Sequence, residues 1–249
     1  MWKNKQFDVI IVGGGPAGSM AARHAALGGL DVLLLEKDRD IGVPVRCGEA
    51  ASDEGLRIFV EPQERWIKSV INRIRLISPN GTKIEFNLKA KGYILDRRVF
   101  DYDLAQYAAE EGATIATKTY VSGLLFDNGN VAGVKGEYLG DPFEVKSKIV
   151  IGADGVESRV GRWAGLKTQL KMKDMESCVQ KTVTGIDVDE NRFDFFMSQK
   201  MAPGGYLWIF PKGKKAANIG LGVSGKYSKD RSAKRYLDDF LEEHYPGCS

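Results

Sequence analysis

The residues with the clearest chemical potential stand near the start of the chain. Gly13, Gly15 and Gly18 satisfy G-x-G-x-x-G, and Glu36 follows twenty-one residues after Gly15. The three glycines serve different ends. Gly13 permits a tight turn, Gly15 lets a pyrophosphate approach the backbone, and Gly18 lets a helix pack closely on a strand. The first turn of that helix would turn its N–H groups and positive dipole end toward the phosphates. Glu36 would accept hydrogen bonds from an adenosine ribose.

Two more stretches carry reactive or recognition groups. "PVRCGEA" (44–50) sets a proline, an arginine and a cysteine against Gly48, as a loop does when it brings a thiol close to something. "GYLWIFP" (205–211) alternates, so Tyr206, Trp208 and Phe210 share one face of a strand. "KGKK" (212–215) then reads as a polar turn and "AANIGLGV" (216–223) as the returning strand. A register that pairs Trp208 with Gly220 sets Tyr206 opposite Gly222, so two aromatics face two vacant positions and a slot opens beside the rings. A slip of one residue moves both glycines to the other face, which leaves plain aromatic packing as the alternative.

The elements that must hold these groups are legible around them. "FDVIIV" (7–12) and "DVLLLE" (31–36) are continuous apolar runs, the pattern of strands buried on both faces. Between them Met20, His24 and Leu27 recur at helical spacing, which marks His24 as a core residue, and Gly28–Gly29 supply the stop. This strand, helix and strand give the glycine motif its confirming context. Residues 93–113 predict a helix with Asp96 as its N-cap, an apolar stripe of Phe100, Leu104 and Ala108, and Gly112 as its end. Arg97 and Arg98 fall in its first turn, where positive charge opposes the helix dipole; they await a phosphate or form a solvated pair. Residues 119–151 predict three short strands joined at "DNGN" and "YLGDP". The last runs into Gly152, Asp154 and Gly155, an acid among glycines placed to approach a ligand hydroxyl or phosphate.

Bulk properties narrow the classes further. The 249 residues are 43% hydrophobic and 28% charged, with a formal net charge of +3 spread along the sequence rather than gathered into a basic stripe, which argues against nucleic acid. Cys47, Cys178 and Cys248 are too few and too irregular for a disulfide framework or a zinc site, and suit a reducing cytoplasm. The N-terminal "MWKNKQ" carries no signal-peptide pattern, and the apolar stretch 9–35 is broken by glycines, so no membrane span is expected. Contact with a membrane surface stays open. A second G-x-G-x-x-G match at Gly220, Gly222 and Gly225 lacks a following strand with its acid, and reads as a decoy before a helix at 229–243.

"VGGGPAG", "DRRVFD" and "GADGVESRV", in this order, resemble the FAD-binding elements of the p-hydroxybenzoate hydroxylase-fold flavoproteins. Within that superfamily, "PVRCGEA" and the Y-x-W-x-F-P…G-x-G pattern of Tyr206, Trp208, Phe210, Pro211, Gly220 and Gly222 are similar to signatures of the geranylgeranyl reductase family, and the likeness covers nearly the whole chain. The resemblance implies an α/β protein: a Rossmann-like FAD-binding domain (1–65 and 97–165), with a parallel sheet and a β-meander, interleaved with a mainly antiparallel substrate domain (66–96 and 166–249). It implies FAD contacts at Gly13, Gly15, Ala17, Gly18, Glu36, Lys37, Arg46, Cys47, Gly48, Arg97, Gly152, Asp154 and Gly155. The aromatic strand with Gly220 and Gly222 would wall a cavity for a long apolar chain.

The implied activity is FAD-dependent saturation of geranylgeranyl double bonds in a membrane lipid precursor, with reduced nicotinamide, ferredoxin or another electron donor. In that fold the loop after the second strand descends toward the flavin ring, with Gly48 permitting the approach. Cys47 is open to three roles: proton donor, flavin gate, or small buried hydrophobe. Relatives carry a third FAD segment, a Gly-Asp motif before a helix, beyond the tryptophan motif; this sequence ends at "LDDFLEEHYPGCS", so a shortened chain is expected. The rival readings are a monooxygenase or halogenase of the same fold, an electron-transfer flavoprotein, and a shortened chain without catalysis.

Overall fold

The computed structural model describes residues 2–229 and 231–248. In chain order the elements begin with β1 (Phe7–Val12), α1 (Pro16–Leu27), β2 (Val32–Leu35), β3 (Ala50–Ser52), α2 (Asp53–Arg57), β4 (Ile67–Ile77) and β5 (Lys83–Leu95). They continue with α3 (Arg97–Glu110), β6 (Thr114–Ala116), β7 (Thr119–Asp127), β8 (Asn130–Tyr138), β9 (Asp141–Gly152) and α4 (Arg159–Trp163). The chain closes with β10 (Glu176–Thr184), β11 (Arg192–Phe196), β12 (Leu207–Pro211), β13 (Ala216–Ser224) and α5 (Ala233–His244). No helix among the described residues is long and apolar enough to cross a membrane.

Two compact units interleave along the chain. The first runs through Val45 and resumes over Arg97–Gln169; the second holds Arg46–Asp96 and everything from Leu170 on. The expected division after residue 65 therefore falls twenty residues earlier. The cause is β3, which pairs with β5 through Ala50↔Ile94 and Ala51↔Tyr93 and so carries residues 46–65 into the second unit.

The first unit is a six-stranded sheet in the order β6-β2-β1-β9-β8-β7. β1 runs parallel to β2 on one side and to β9 on the other, so strand order reverses beside β1. β9 serves two partners. Its first half pairs antiparallel with β8, and its second half, from Ser147 to Gly152, pairs with β1. The strands expected here as short are nine, nine and twelve residues long because one continuous strand builds both the meander and the parallel sheet. Asn128 (φ +49°) and Gly129 (φ +82°) make the first turn, the paired left-handed conformation that suits the strand twist.

The stripe proposed for α1 is corrected. Its buried residues are Gly18, Ser19, Ala22 and Ala26, while His24 and Leu27 are exposed and Met20 is only partly covered. α1 packs against both β1 and α3, where Ala105 and Ala108 face it. So close a packing admits small side chains and turns the larger ones outward.

The second unit is a seven-stranded sheet in the order β10-β13-β12-β11-β4-β5-β3, antiparallel except where β11 lies beside β4. α5 buries Ala233, Leu237, Phe240 and Leu241 against Leu207, Ile209, Ile219 and Leu221 on one face of it. The helix starts at Ala233 rather than 229 because the Ser232 hydroxyl caps it, accepting the Arg235 N–H at 3.4 Å. The opposite face carries Phe193, Phe210, Ile71 and Ile94, with Trp208 and Phe195 packed beside them.

Candidate functional site

In the first unit the ends of three strands meet at the glycine turn. The Gly13 N–H donates to the Leu35 carbonyl at 2.8 Å, and the Ala153 N–H donates to the Val12 carbonyl at 2.8 Å. Gly13 holds φ +108°, and a Cβ there would sit 2.3 Å from the Ala153 carbonyl oxygen. At Gly18 a Cβ would lie 1.9 Å from the Gly13 carbonyl oxygen, so the helix start and the turn touch backbone to backbone. Gly15 differs: nothing lies within 4 Å of its would-be Cβ, and no side chain caps α1 there. The opening therefore faces the helix N-terminus, beside the point where strand order reverses, the usual seat of a phosphate in such sheets.

Glu36 stands at the end of β2 with both carboxylate oxygens engaged, accepting the Gly14 N–H at 2.7 Å and the Asp38 N–H at 2.9 Å. Each oxygen keeps a lone pair for a ribose hydroxyl. Ala17 is exposed on α1, and Lys37 lies 3.7 Å from Glu157. The Asp154 carboxylate accepts the Val160 N–H at 2.9 Å and so starts α4, between Gly152, whose Cβ would press on Val160, and Gly155 at φ +65°. Its second oxygen, and a lone pair on the first, stay open to a ligand. Arg97 is bound bidentately by Asp101 at 2.6 and 2.8 Å, one helical turn on, so its place in the first turn needs no phosphate to explain it. With an open helix N-terminus, a backbone cradle and a carboxylate at the second strand end, these residues fit the adenosine diphosphate part of a dinucleotide.

The second unit holds the other two motifs, and they interlock. Cys47 is exposed, which removes its reading as a small buried hydrophobe. Its carbonyl accepts the Gln180 side-chain amide at 3.1 Å, and the oxygen of that amide accepts the Trp208 indole N–H at 3.0 Å. Gly48 does make a close approach, and it is to Phe210: a Cβ would lie 3.0 Å from the ring. Arg46 is exposed beside them. Glu49 is buried, pairing with Lys212 and accepting the Asn218 amide at 2.6 Å. Lys212, expected as part of a polar turn, turns its ammonium onto this buried carboxylate.

β12 and β13 adopt the register that pairs Trp208 with Gly220, and Gly222 donates its N–H to Tyr206. The expected slot is absent, because the indole itself lies over Gly220 and a Cβ there would be 2.4 Å from the ring. Position 222 is filled by the Glu176 carboxylate and the Cys178 sulfur from β10. Phe193 and Phe195, which the sequence motifs leave out although "RFDFF" alternates, extend the aromatic face. Phe193 and Phe210 rings lie 4.7 Å apart, Phe195 and Tyr206 5.6 Å, and Trp208 stacks on Phe210 at 6.0 Å. Gly220 and Gly222 lie within β13, so the second glycine match forms no turn into a helix.

Residues 174–249 match the family model described as geranylgeranyl reductase catalytic domain, and residues 8–53 match that of FAD dependent oxidoreductase. A digeranylgeranylglycerophospholipid reductase from Methanocella arvoryzae is 47% identical over 245 residues, which are 97% of this chain and 62% of that protein. The solved structure of a geranylgeranyl bacteriochlorophyll reductase-like protein from Thermoplasma acidophilum has a TM-score of 0.92 at 39% identity, covering 98% of this chain and 64% of its own. A halogenase solved with phloroglucinol and FAD shares the fold alone, with TM-score 0.73 and 18% identity over 98% of this chain and 58% of its own. The chain thus spans less than two thirds of the length of these relatives. Over the residues it spans, the chain is similar to the geranylgeranyl reductase family of FAD-dependent oxidoreductases.

Proposed function

We propose that this chain supplies the dinucleotide-binding and aromatic parts of an FAD-dependent reductase that saturates geranylgeranyl double bonds in a membrane lipid precursor. The observation that carries the reading is the bridge from Trp208 through Gln180 to Cys47, which joins the cysteine loop and the tryptophan strand into one cluster. Gly13, Gly15, Ala17 and Gly18 would hold the pyrophosphate, with Glu36 on the ribose and Lys37, Gly152, Asp154 and Gly155 around it. FAD bound there, once reduced by the electron donor, would supply the hydride that reduction of an isolated alkene requires.

The chain's own residues must do the rest. Tyr206, Trp208 and Phe210, with Phe193 and Phe195, present an aromatic surface suited to a prenyl chain, which has no polar group to recognise. Gly220 and Gly222 let the indole and its neighbours lie flat on the sheet. The alkene also needs a proton, and Cys47 offers a thiol that water or substrate can reach. Electrons come from an external donor, and a lipid substrate brings the protein to a membrane surface.

The test has two steps. The purified chain is examined for a flavin spectrum and the released cofactor identified; the chemically reduced protein is then mixed with a geranylgeranyl lipid without oxygen. A mass increase of about 2 Da per reduced bond in a single turnover, slowed in Cys47→Ala at unchanged flavin content, is the expected result. Retained FAD with no change in the lipid would overturn the reductase reading for this chain.

A further inference from the structure

The cysteine loop is anchored by an ion pair, buried on its Glu49 side, that the proposed reduction does not itself use. Glu49 is 3% exposed and its backbone holds φ +69°. Its carboxylate pairs with Lys212, at the end of β12, and accepts the amide of the fully buried Asn218 on β13. The Asn218 oxygen in turn accepts the Thr182 hydroxyl at 2.7 Å. On the main chain, the Glu49 carbonyl accepts the Leu95 N–H at 2.9 Å. The Glu49 N–H donates to Cys47 Sγ at 3.3 Å.

A side chain in the left-handed region costs about 1 kcal/mol and persists only where its surroundings over-determine it. Here they do, from both ends: the side chain is tied to β12 and β13, the carbonyl to β5. Turning Glu49 back to an ordinary extended conformation would swing its N–H off the sulfur and draw the carboxylate away from Lys212. Sulfur is a weak acceptor, so the N–H···S bond cannot by itself impose this geometry. The ion pair can, since it balances the charge of a carboxylate held away from water.

We infer that Glu49, Lys212 and Asn218 are positioning residues for Cys47, their contacts to the Glu49 carboxylate fixing the backbone N–H that holds the thiol sulfur. The consequence for catalysis rests on the reading of Cys47 as proton donor; the positioning itself needs neither flavin nor lipid. Arg46 and Glu49 on the loop, Lys212 just past β12, and Glu176 and Cys178 on β10 are charged and titratable groups around it, and the Lys212 ammonium meets the Glu49 carboxylate.

Amide hydrogen exchange at Glu49, followed by NMR in the full chain, tests the inference. Lys212→Met should speed that exchange about tenfold, because the anchor is gone. Cys47→Ala should do the same, because the acceptor is gone. If the two act through one latch, the double variant exchanges no faster than either single one, while Lys212→Arg keeps the protection and the amides of β13 are unaffected. Effects that multiply in the double variant, or a Glu49 amide indifferent to Lys212→Met, would overturn it. Should Lys212→Met fail to fold, Glu49→Gln, isosteric and neutral, replaces it in the same cycle with the same outcomes. In single-turnover lipid reduction, Lys212→Met should slow the reaction with flavin content and apparent substrate affinity unchanged. Absence of any lipid reduction in the parent would sink the function while the exchange cycle still decides the latch.

Discussion

The indole of Trp208 lies across Gly220 on the neighbouring strand, so close that a methyl group at 220 would stand 2.4 Å from Cζ2 and 2.7 Å from Cε2. The glycine is therefore the floor on which the ring rests, and the ring's N–H then reaches Gln180 at 3.0 Å. Gly220→Ala must push the indole off the sheet and break that bond. Overpacking of this kind costs about 1–3 kcal/mol. The expected outcome is a lower urea midpoint and a shifted tryptophan emission, with flavin content unchanged. The emission shift should vanish in a Trp208→Phe background; persistence there would place the disturbance elsewhere.

The glycine turn allows folding and cofactor binding to be separated. Gly18→Ala drives a Cβ to 1.9 Å from the Gly13 carbonyl, backbone against backbone, and the first unit should fail to form. Gly15→Ala meets nothing within 4 Å, and φ −69° suits alanine. Its melting temperature should match the parent, while its methyl intrudes where the pyrophosphate would approach. A loss of FAD affinity of about tenfold or more is expected, equivalent to roughly 1.4 kcal/mol. Isothermal titration with FAD checks it, and unchanged affinity would remove Gly15 from the site.

What could be read in advance followed the range of the interactions. The dinucleotide turn was legible because its parts lie within about thirty residues and each glycine answers a local demand. For Arg97 the sequence leaves a phosphate and a solvated pair open, although Asp101 stands four residues on, at the spacing where helix ion pairs form. The α1 stripe failed because its buried face is built from Gly18, Ser19, Ala22 and Ala26, which carry almost no hydropathy signal. The β12–β13 register was one of two that a period of two allows. Gln180, Glu49, Lys212 and Asn218 were beyond reach: their partners lie 133 to 170 residues away along the chain, or are single polar groups in otherwise ordinary strands.

Cys178 offers a test of the face on which Trp208 sits. Partial burial of its thiol, and after it the Glu176 carboxylate nearby, push the group above the usual cysteine range. Less thiolate is then present at a given pH, so alkylation should rise later with pH than for a free cysteine. In a Cys47→Ser, Cys248→Ser chain, the iodoacetamide rate profile should lie at higher pH than that of a cysteine peptide. Glu176→Gln removes the smaller cause only, so it should move the profile down part of the way. A full return to the peptide profile would mean that charge, not burial, sets it.

Asp194 should be the most costly single carboxylate to lose from the second sheet. It lies on β11 between Phe193 and Phe195, whose rings point to the opposite face, and it pairs in register with Arg75 of β4. It binds Arg75 and also accepts Arg192 Nε at 2.7 Å, while Arg192 reaches Asp189 at 2.7 Å and Arg73 reaches Asp189 and Glu85. Asp194 is 8% exposed and the Arg192 side chain 13%, so the pairs are poorly screened. Asp194→Asn keeps the shape and leaves two guanidiniums facing each other without their carboxylate. A loss of about 3 kcal/mol is expected, the low end for a broken buried pair because Arg75 keeps some contact with water. Glu85→Gln, on the exposed rim of the same network, should cost less than about 1 kcal/mol. Urea denaturation of both variants checks the contrast. Because β11 carries Phe193 and Phe195 on its other face, Asp194→Asn should also loosen the aromatic surface, and equal costs for the two substitutions would show that the network acts only as surface charge.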